Sequence, residues 1–338
     1  MRKTLAGAAA VLVLAGLAYT AAWFYGANQL KHVVEDWKQD AAAEGVTISY
    51  AEIRTGGYPM ALTAELVNLA LRVEGKGVSL QSAPIRLRTT LWNPNYITYS
   101  FSGKYGLTVT EGMRSHITVS VESGTGEIRF NGDRREDHDT ASNVRILNDK
   151  GIVSIARLDI SGFTTEKPRA TGDDTFHAEY DLAGLALANP LGVQLFEPPI
   201  DHMRLDLGAT GPFMDIFKNS TVVDWAKAGG ALTLRDASLE WNGFAFSLAG
   251  NGSLDAELRP SGKLTLTSDG FEEGLQSLED SGALPPYLAE YIRQITARFI
   301  TPAGEGTKSK LLVAITAADG VLSVGDQPLG AVPSLNKL

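Results

Sequence analysis

Val46-Thr47-Ile48-Ser49-Tyr50, then Arg54-Thr55-Gly56-Gly57-Tyr58-Pro59, then the run Ala61 to Val73, is where the chain takes up a period of two. Apolar and polar residues alternate through the first and third pieces, which places them on opposite faces of a pleated strand. The piece between holds two glycines and a proline, the composition of a turn. Strand, turn and strand predict an antiparallel pair, and the pattern repeats downstream. Val78 to Trp92 reads as a strand bent near Pro84, since a proline withholds a ladder donor. Asn93-Pro94-Asn95 turns into Tyr96 to Phe101, and Gly106 to Thr110, His116 to Glu122 and Glu127 to Phe130 follow as strands.

Residues 131 to 143 are the most charged part of the chain, with Asp133-Arg134-Arg135-Glu136-Asp137-His138-Asp139 at their centre. Asp137, His138 and Asp139 invite a metal-loop reading. The turn glycine and closing glutamate of an EF-hand are missing, so a solvated loop or hairpin tip is expected. Strands resume at Val144 to Leu147 and Ile152 to Ile160 around the turn Asn148-Asp149-Lys150-Gly151. Thr164 to Asp174 reads as a polar loop, with Phe176 to Leu182 and His202 to Leu207 as further strands. Leu185 to Pro199, with Pro190, Pro198 and Pro199, is the expected join between two halves.

The second half adds helices. Asp215 to Lys227 and Phe271 to Leu278 are helix-like, and Pro285-Pro286 opens a third, since proline suits a first helical turn. Leu288, Tyr291, Ile292, Ile295 and Phe299 form its apolar stripe. Between the first two helices lie the strands Ala231 to Trp241, Phe244 to Ala249, Gly252 to Leu258 and Gly262 to Thr267. Lys310 to Thr316 and Gly320 to Val324 close the chain. Glu52 to Leu71 and Leu239 to Leu258 share a strand, glycine turn and strand layout, which either a duplication or any antiparallel meander produces.

Upstream of the strands the material differs. Arg2 and Lys3 precede Thr4 to Tyr25, a run without charge that ends in Trp23-Phe24-Tyr25. As a helix it is long enough for the roughly 30 Å hydrocarbon core of a bilayer. A cleaved signal peptide is the competing reading, with Leu5 to Leu17 as its apolar region and Thr20-Ala21-Ala22 as the site. The aromatic cluster favours a retained anchor, because Trp and Tyr seat at the membrane interface. Either way the basic residues stay inside and residues from about 28 are exported, to the periplasmic side of an inner membrane in a Gram-negative host. Leu30, Val33, Val34, Trp37 and Ala41 then make an amphipathic helix that ends at Gly45 and is expected to pack on the first strands.

The expected fold class is therefore α+β and mainly β. An N-terminal transmembrane helix leads into an extended antiparallel sheet that can curve into a groove, covered by a few helices. The domain reading is an anchor over 1–27, an amphipathic helix over 28–45, a β-rich half over 46–190 and a second half with helices over 191–338.

Chemistry is sparse. There is no cysteine, which excludes disulfides, thiolate metal sites and a lipoprotein cysteine. A net charge of −9 argues against nucleic acid and anionic headgroups as electrostatic partners. No G-x-S-x-G or Ser-x-x-Lys occurs. His32, His116, His138, His177 and His202 stand alone, with no H-E-x-x-H pair. Gly304-Glu305-Gly306-Thr307-Lys308-Ser309 lacks the spacing and the strand-to-helix order of a phosphate loop. Gly250-Asn251-Gly252 lacks the third glycine of a dinucleotide fingerprint and reads as a hairpin turn. No catalytic, cofactor-binding or metal-ligating residue is assigned, no cofactor is implied, and the ligand-binding residues are not legible.

The layout resembles domain-of-unknown-function family 2125, exported bacterial proteins with a single span. The carriers are the N-terminal run, Gly57-Tyr58-Pro59 with the strand Met60 to Leu71, Leu91-Trp92-Asn93-Pro94, and the ending Asp319 to Gly330 with Pro333 behind it. That resemblance implies no activity and no catalytic residues. More distantly the chain is similar to AsmA-like envelope proteins, which implies lipid binding in a groove. A chain this short could not bridge the periplasm alone. The expected function is a non-enzymatic, inner-membrane-anchored periplasmic protein that binds a lipid or other apolar envelope component. The alternatives are a scaffold that binds another envelope protein through a sheet edge or the helix Pro285 to Ile300, and a hydrolase whose site forms no motif.

Overall fold

The computed structural model describes residues 2–43, 45–73, 77–109, 115–168, 170, 172–189, 198–217, 221–280, 282, 284–301 and 308–334, without the side chains of 2–13, 33, 37 and 115. It is mainly β, with large antiparallel sheet and few helices. The chain divides into two compact units, residues 1–129 with 145–149, and 130–144 with 150–338. Residues 190–197, most of the expected proline-rich join, lie outside the described residues.

The first unit opens with helix α1 (Arg2–Ala43), followed by β1 (Val46–Ser49), β2 (Glu52–Gly56), β3 (Leu62–Val67), β4 (Ala70–Val73), β5 (Val78–Gln81), β6 (Ile85–Thr90), β7 (Asn93–Val109) and most of β8 (Ser115–Asn131). The short strands are halves of longer ones. β1 and β2 pair with β4 and β3 in one continuous register, Ser49 opposite Ala70 and Glu52 opposite Val67. β3 and β4 pair likewise with β6 and β5. β7 then spans both halves, with β6 against its first part and β5 against its last. The interruptions align at residues 50–51, 68–69, 82–84, 102 and 122–123, so one crease crosses every strand. On β7 and β8 it takes the form of a register shift around Gly103, a bulge that bends its strand.

The side-chain alternation changes phase at this crease. β3 buries Leu62, Ala64 and Leu66 at even positions, whereas β4 half-buries Leu71 and Val73 and exposes Arg72. Asn68, at φ 54°, absorbs the change, asparagine being among the few residues that tolerate the left-handed region. The bend expected near Pro84 is thus one point on a longer line.

α1 packs on β1, β2 and β3. Trp23, Ala27 and Val34 are buried along one side, and Trp23 and Ala27 cluster with Leu62 and Leu91. Gly26 permits the close approach, since a Cβ there would lie 2.9 Å from Leu91 Cδ2. Farther along, the Tyr50 hydroxyl donates to Glu35, and Lys38 Nζ sits 5.5 Å from the Tyr50 ring centre. The amphipathic stretch therefore docks on the strands, with Leu30 and Ala41 half-buried; the side chains of Val33 and Trp37 lie outside the described residues. The helix runs unbroken through the uncharged stretch. Among the described residues no helix is long and apolar enough to cross a membrane, and the side chains of 4–13 lie outside them.

The second unit is a meander of β9 (Arg134–Asn148, its last residues belonging to the first unit), β10 (Gly151–Thr165), β11 (Phe176–Ala188), β12 (Ile200–Ala209), β13 (Ala231–Trp241), β14 (Phe244–Leu254), β15 (Pro260–Asp269), β16 (Ile300–Thr301), β17 (Lys310–Ala318), β18 (Val321–Val324) and β19 (Gln327–Ala331). From β10 through β15, neighbours in sequence are neighbours in the sheet, and β17 to β19 continue it. Helix α2 (Val222–Lys227) lies between β12 and β13, and α3 (Phe271–Asp280) and α4 (Pro286–Thr296) between β15 and β17.

Three expectations are corrected here. The charged run is strand, not loop, since β9 begins at Arg134. Arg134 pairs with Glu136 on one face and Arg135 with Asp137 on the other, both at 2.8 Å. That i, i+2 pairing lets a strand carry charge on both sides. Gly250-Asn251-Gly252 lies inside β14, and the turn falls at residues 255–258. The helix expected over Asp215 to Lys227 is a 3₁₀ turn (Phe213–Phe217) followed by α2, with 218–220 outside the described residues.

Candidate functional site

Residues opposite one another in neighbouring strands share a face of the sheet. The register of the second unit therefore sorts its residues into rows. One row runs Leu207, Leu234, Gly250, Leu264, Ile315 and Val324 across β12, β13, β14, β15, β17 and β18. The next runs Ala209, Leu232, Gly252, Gly262, Ala317 and Leu322. Two further rows hold Leu205, Leu248, Leu266 and Val313, and Met203, Leu239, Phe246 and Leu311. This face is largely apolar from β11 to β18, with Ser268 of β15 standing between Phe246 and Leu311 and donating its hydroxyl to the Ala245 carbonyl. The opposite face carries His177, Glu179, Asp181, Arg204 and Asp206.

Helices cover the apolar face in part. Near one end α3 lies so close to β14 that a Cβ on Gly274 would fall 2.3 Å from Phe244 Cδ2. Ser309 fixes that corner, its hydroxyl accepting from the Glu272 N–H at 3.0 Å and donating to Glu273 at 2.6 Å. The Ser309 hydrogen bond holds the Glu273 carboxyl below its usual range. Near the other end, Thr221 and Asp224 cap α2 reciprocally. Trp225 is buried and donates its indole N–H to the Thr210 carbonyl at 2.7 Å. The Phe213 ring meets it edge-on at 5.9 Å.

Beside Trp225 the face is left uncovered. An open cavity of ≈ 440 Å³ lies between Val222 and Trp225 of α2 and the strand residues Leu232, Leu234, Leu264 and Ile315. Its volume falls within the range of small-molecule pockets, and its walls are almost wholly apolar. The space exists because Gly252 and Gly262, a directly opposed pair in the lining, put no side chain into it. Such a wall offers an apolar chain removal from water, about 25 cal/mol per Å² buried.

The polar face holds a different arrangement. Among the described residues, His177, Glu179 and Asp206 present donor atoms within 4.8 Å of one another, the spacing a cation would need. Arg204 already pairs with Glu179 at 2.7 Å, Arg235 approaches Asp206 at 3.4 Å, and His177 Nε2 lies 2.9 Å from Asp206. Glu179 and Asp206 stand directly opposite in the register, and the two guanidiniums relieve that repulsion. The cluster is an ion-pair network in which both carboxylates already face a guanidinium, Arg235 being shared with Asp174, which is a poor fit for a divalent cation.

The sequence motifs disperse in the structure. Asp137 and His138 take successive positions on β9 and point to opposite faces. His202 meets Asp181 at 2.8 Å, and His116 lies 3.1 Å from the Thr108 hydroxyl. Residues 304–307 of the glycine-rich segment lie outside the described residues. The residues that line the cavity were missed by motif reading, and their signal was the pairing of glycines between leucine-rich strands.

A family model described as an uncharacterized protein conserved in bacteria, DUF2125, matches residues 23–333. No curated protein matches the sequence.

Proposed function

The chain belongs to the DUF2125 family, and on that premise we propose that it holds a lipid acyl chain or similar apolar envelope component against the leucine face of its second unit, without chemical conversion. The carrying observation is the uncovered apolar cavity beside Trp225, floored by Gly252 and Gly262. In this reading α1 anchors the chain in the bacterial inner membrane by its uncharged stretch, Arg2 and Lys3 remain cytoplasmic, and the strands lie in the periplasm. The uncharged run and the exposed Phe24 and Tyr25 at its end support the anchor. Native mass spectrometry of the full chain, extracted from membranes in mild detergent, tests the binding. Lipid co-purifying at a fixed stoichiometry is the expected result, and repeated recovery of bare protein overturns it.

A second reading rests on α4. Leu288, Tyr291 and Ile295 of its expected apolar stripe are exposed, as is the neighbouring Tyr287, and its fully buried residue is Ala289. That face suits a protein partner of the envelope. Crosslinking from Tyr291 in intact cells separates the readings, since one recurrent protein adduct on lipid-free protein favours the scaffold.

A further inference from the structure

The first unit carries a second apolar feature, distinct from the cavity. Two of its turns end in large exposed residues: Tyr58 and Met60 between β2 and β3, and Trp92 between β6 and β7. Phe24 and Tyr25 of α1 are exposed to a similar degree. Isolated exposed apolar residues are ordinary, whereas grouped ones mark a contact surface.

These residues are fixed at one level of the helix. The Tyr19 hydroxyl donates to the Pro59 carbonyl, and Thr20 Oγ1 lies 2.8 Å from the Tyr58 hydroxyl. Trp23 donates its indole N–H to the Ala61 carbonyl at 2.7 Å. The Tyr58 ring lies 5.3 Å from Trp23, edge-on, and 6.2 Å from Phe24, stacked. Leu91, the neighbour of Trp92, packs on Trp23, Ala27 and Leu62. Both turns are thus pinned to the last residues of the uncharged run. Neither brings a charge, since residues 55–64 and 89–103 contain no Asp, Glu, Lys or Arg.

The geometry points to a membrane-seated belt: the turn Tyr58-Pro59-Met60 and Trp92 lie in the lipid headgroup region together with Phe24 and Tyr25, so the sheet itself touches the bilayer. This rests on the reading of α1 as an anchor. Aromatic side chains with a polar tip settle at the water–lipid boundary, and here they come from three separate segments brought to the level where the uncharged helix ends. A soluble protein partner would leave the continuity with that helix unexplained. The partner surface is a neutral or zwitterionic interface, because the patch has no cation with which to hold anionic headgroups.

The absence of cysteine makes the test clean. Full-length single-cysteine variants Leu14→Cys, Met60→Cys and Arg72→Cys would carry an environment-sensitive fluorophore. They are reconstituted in zwitterionic phosphatidylethanolamine–phosphatidylcholine vesicles that include nitroxide-labelled phosphatidylcholine. Arg72 sits at the far end of the strands, about 40 Å from Met60 along the strand direction. The expected result is quenching at Leu14 by a deep nitroxide, quenching at Met60 by a shallow one, and none at Arg72. Quenching at Leu14 with Met60 behaving as Arg72 does would overturn the belt and leave the anchor standing. No quenching at either Leu14 or Met60 would overturn both.

Discussion

Gly252 and Gly262 face each other across β14 and β15, and the pair opens the apolar face beside Trp225. The two are not equivalent. A Cβ on Gly262 would fall 2.2 Å from the Asn251 carbonyl oxygen, whereas one on Gly252 would meet nothing closer than 3.8 Å. A large side chain at 252 therefore enters the cavity without moving backbone, and aromatic residues suit a strand. Gly252→Phe is expected to fold normally and to lose most of its co-purifying lipid. Gly262→Phe is expected to disrupt folding, and comparing lipid content with thermal unfolding for the two distinguishes blockage from damage.

The hydrogen bond from Tyr50 to Glu35 ties α1 to the start of the sheet and predicts a pH dependence at both extremes. That bond, reinforced by burial, pushes the Tyr50 hydroxyl up to about 12 from 10.0. A raised value contributes stability that is complete below the unfolded value and is lost as pH rises through the folded one. Docking of the helix is thus expected to weaken between pH 10 and about 12, followed by tyrosinate absorbance, with the late-ionising tyrosine gone in Tyr50→Phe. The same bond, with a smaller contribution from Lys38, holds Glu35 below 4.5. Its contribution is present above that value and fades as pH falls through the lowered one, so Tyr50→Phe should flatten the acid limb.

Ser309 is buried and joins the strand β17 to the first turn of α3 through Glu272 and Glu273. Ser309→Ala leaves the Glu272 N–H without that acceptor and releases the Glu273 carboxyl. A loss of about 1–2 kcal/mol is expected, read as an earlier urea midpoint with unchanged slope. Hydrogen exchange should rise over 271–275.

Trp23→Phe keeps an aromatic ring against Ala27, Leu62 and Leu91 but removes the N–H that satisfies the Ala61 carbonyl. The expected cost is about 1–2 kcal/mol, localised as faster exchange across Leu62–Val67. Trp23→Ala removes the packing as well and is expected to cost about 3–5 kcal/mol. A Trp23→Phe protein as protected as wild type would mean that the indole bond does not hold the turn to the helix.

The period-two stretches carried the β architecture because alternation is a local signal, as in Leu62, Ala64 and Leu66. What escaped depends on neighbours in space. Arg134 to Asp139 looked like loop because a strand charged on both faces is viable only with i, i+2 partners such as Arg134 and Glu136. Gly250-Asn251-Gly252 looked like a turn because glycine more often ends a strand than floors a cavity. Its role depends on Gly262, ten residues downstream and in register only after folding. Pro84 marked the crease in one strand, whereas Asn68 carried no warning in sequence. The stripe of α4 was periodic enough to suggest burial, yet Tyr291 and Ile295 face solvent.

The crease has a consequence for how long strands find their partners. A seventeen-residue strand such as β7 offers many near-equivalent pairings, and a slip of one residue turns every side chain to the wrong face. With the phase of alternation changed at Asn68 and one residue bulged near Gly103, a slipped pairing mismatches at once on both sides of the line. Each half proofreads the other. The sheet can thus afford strands well beyond the usual five or six residues and still reach one alignment.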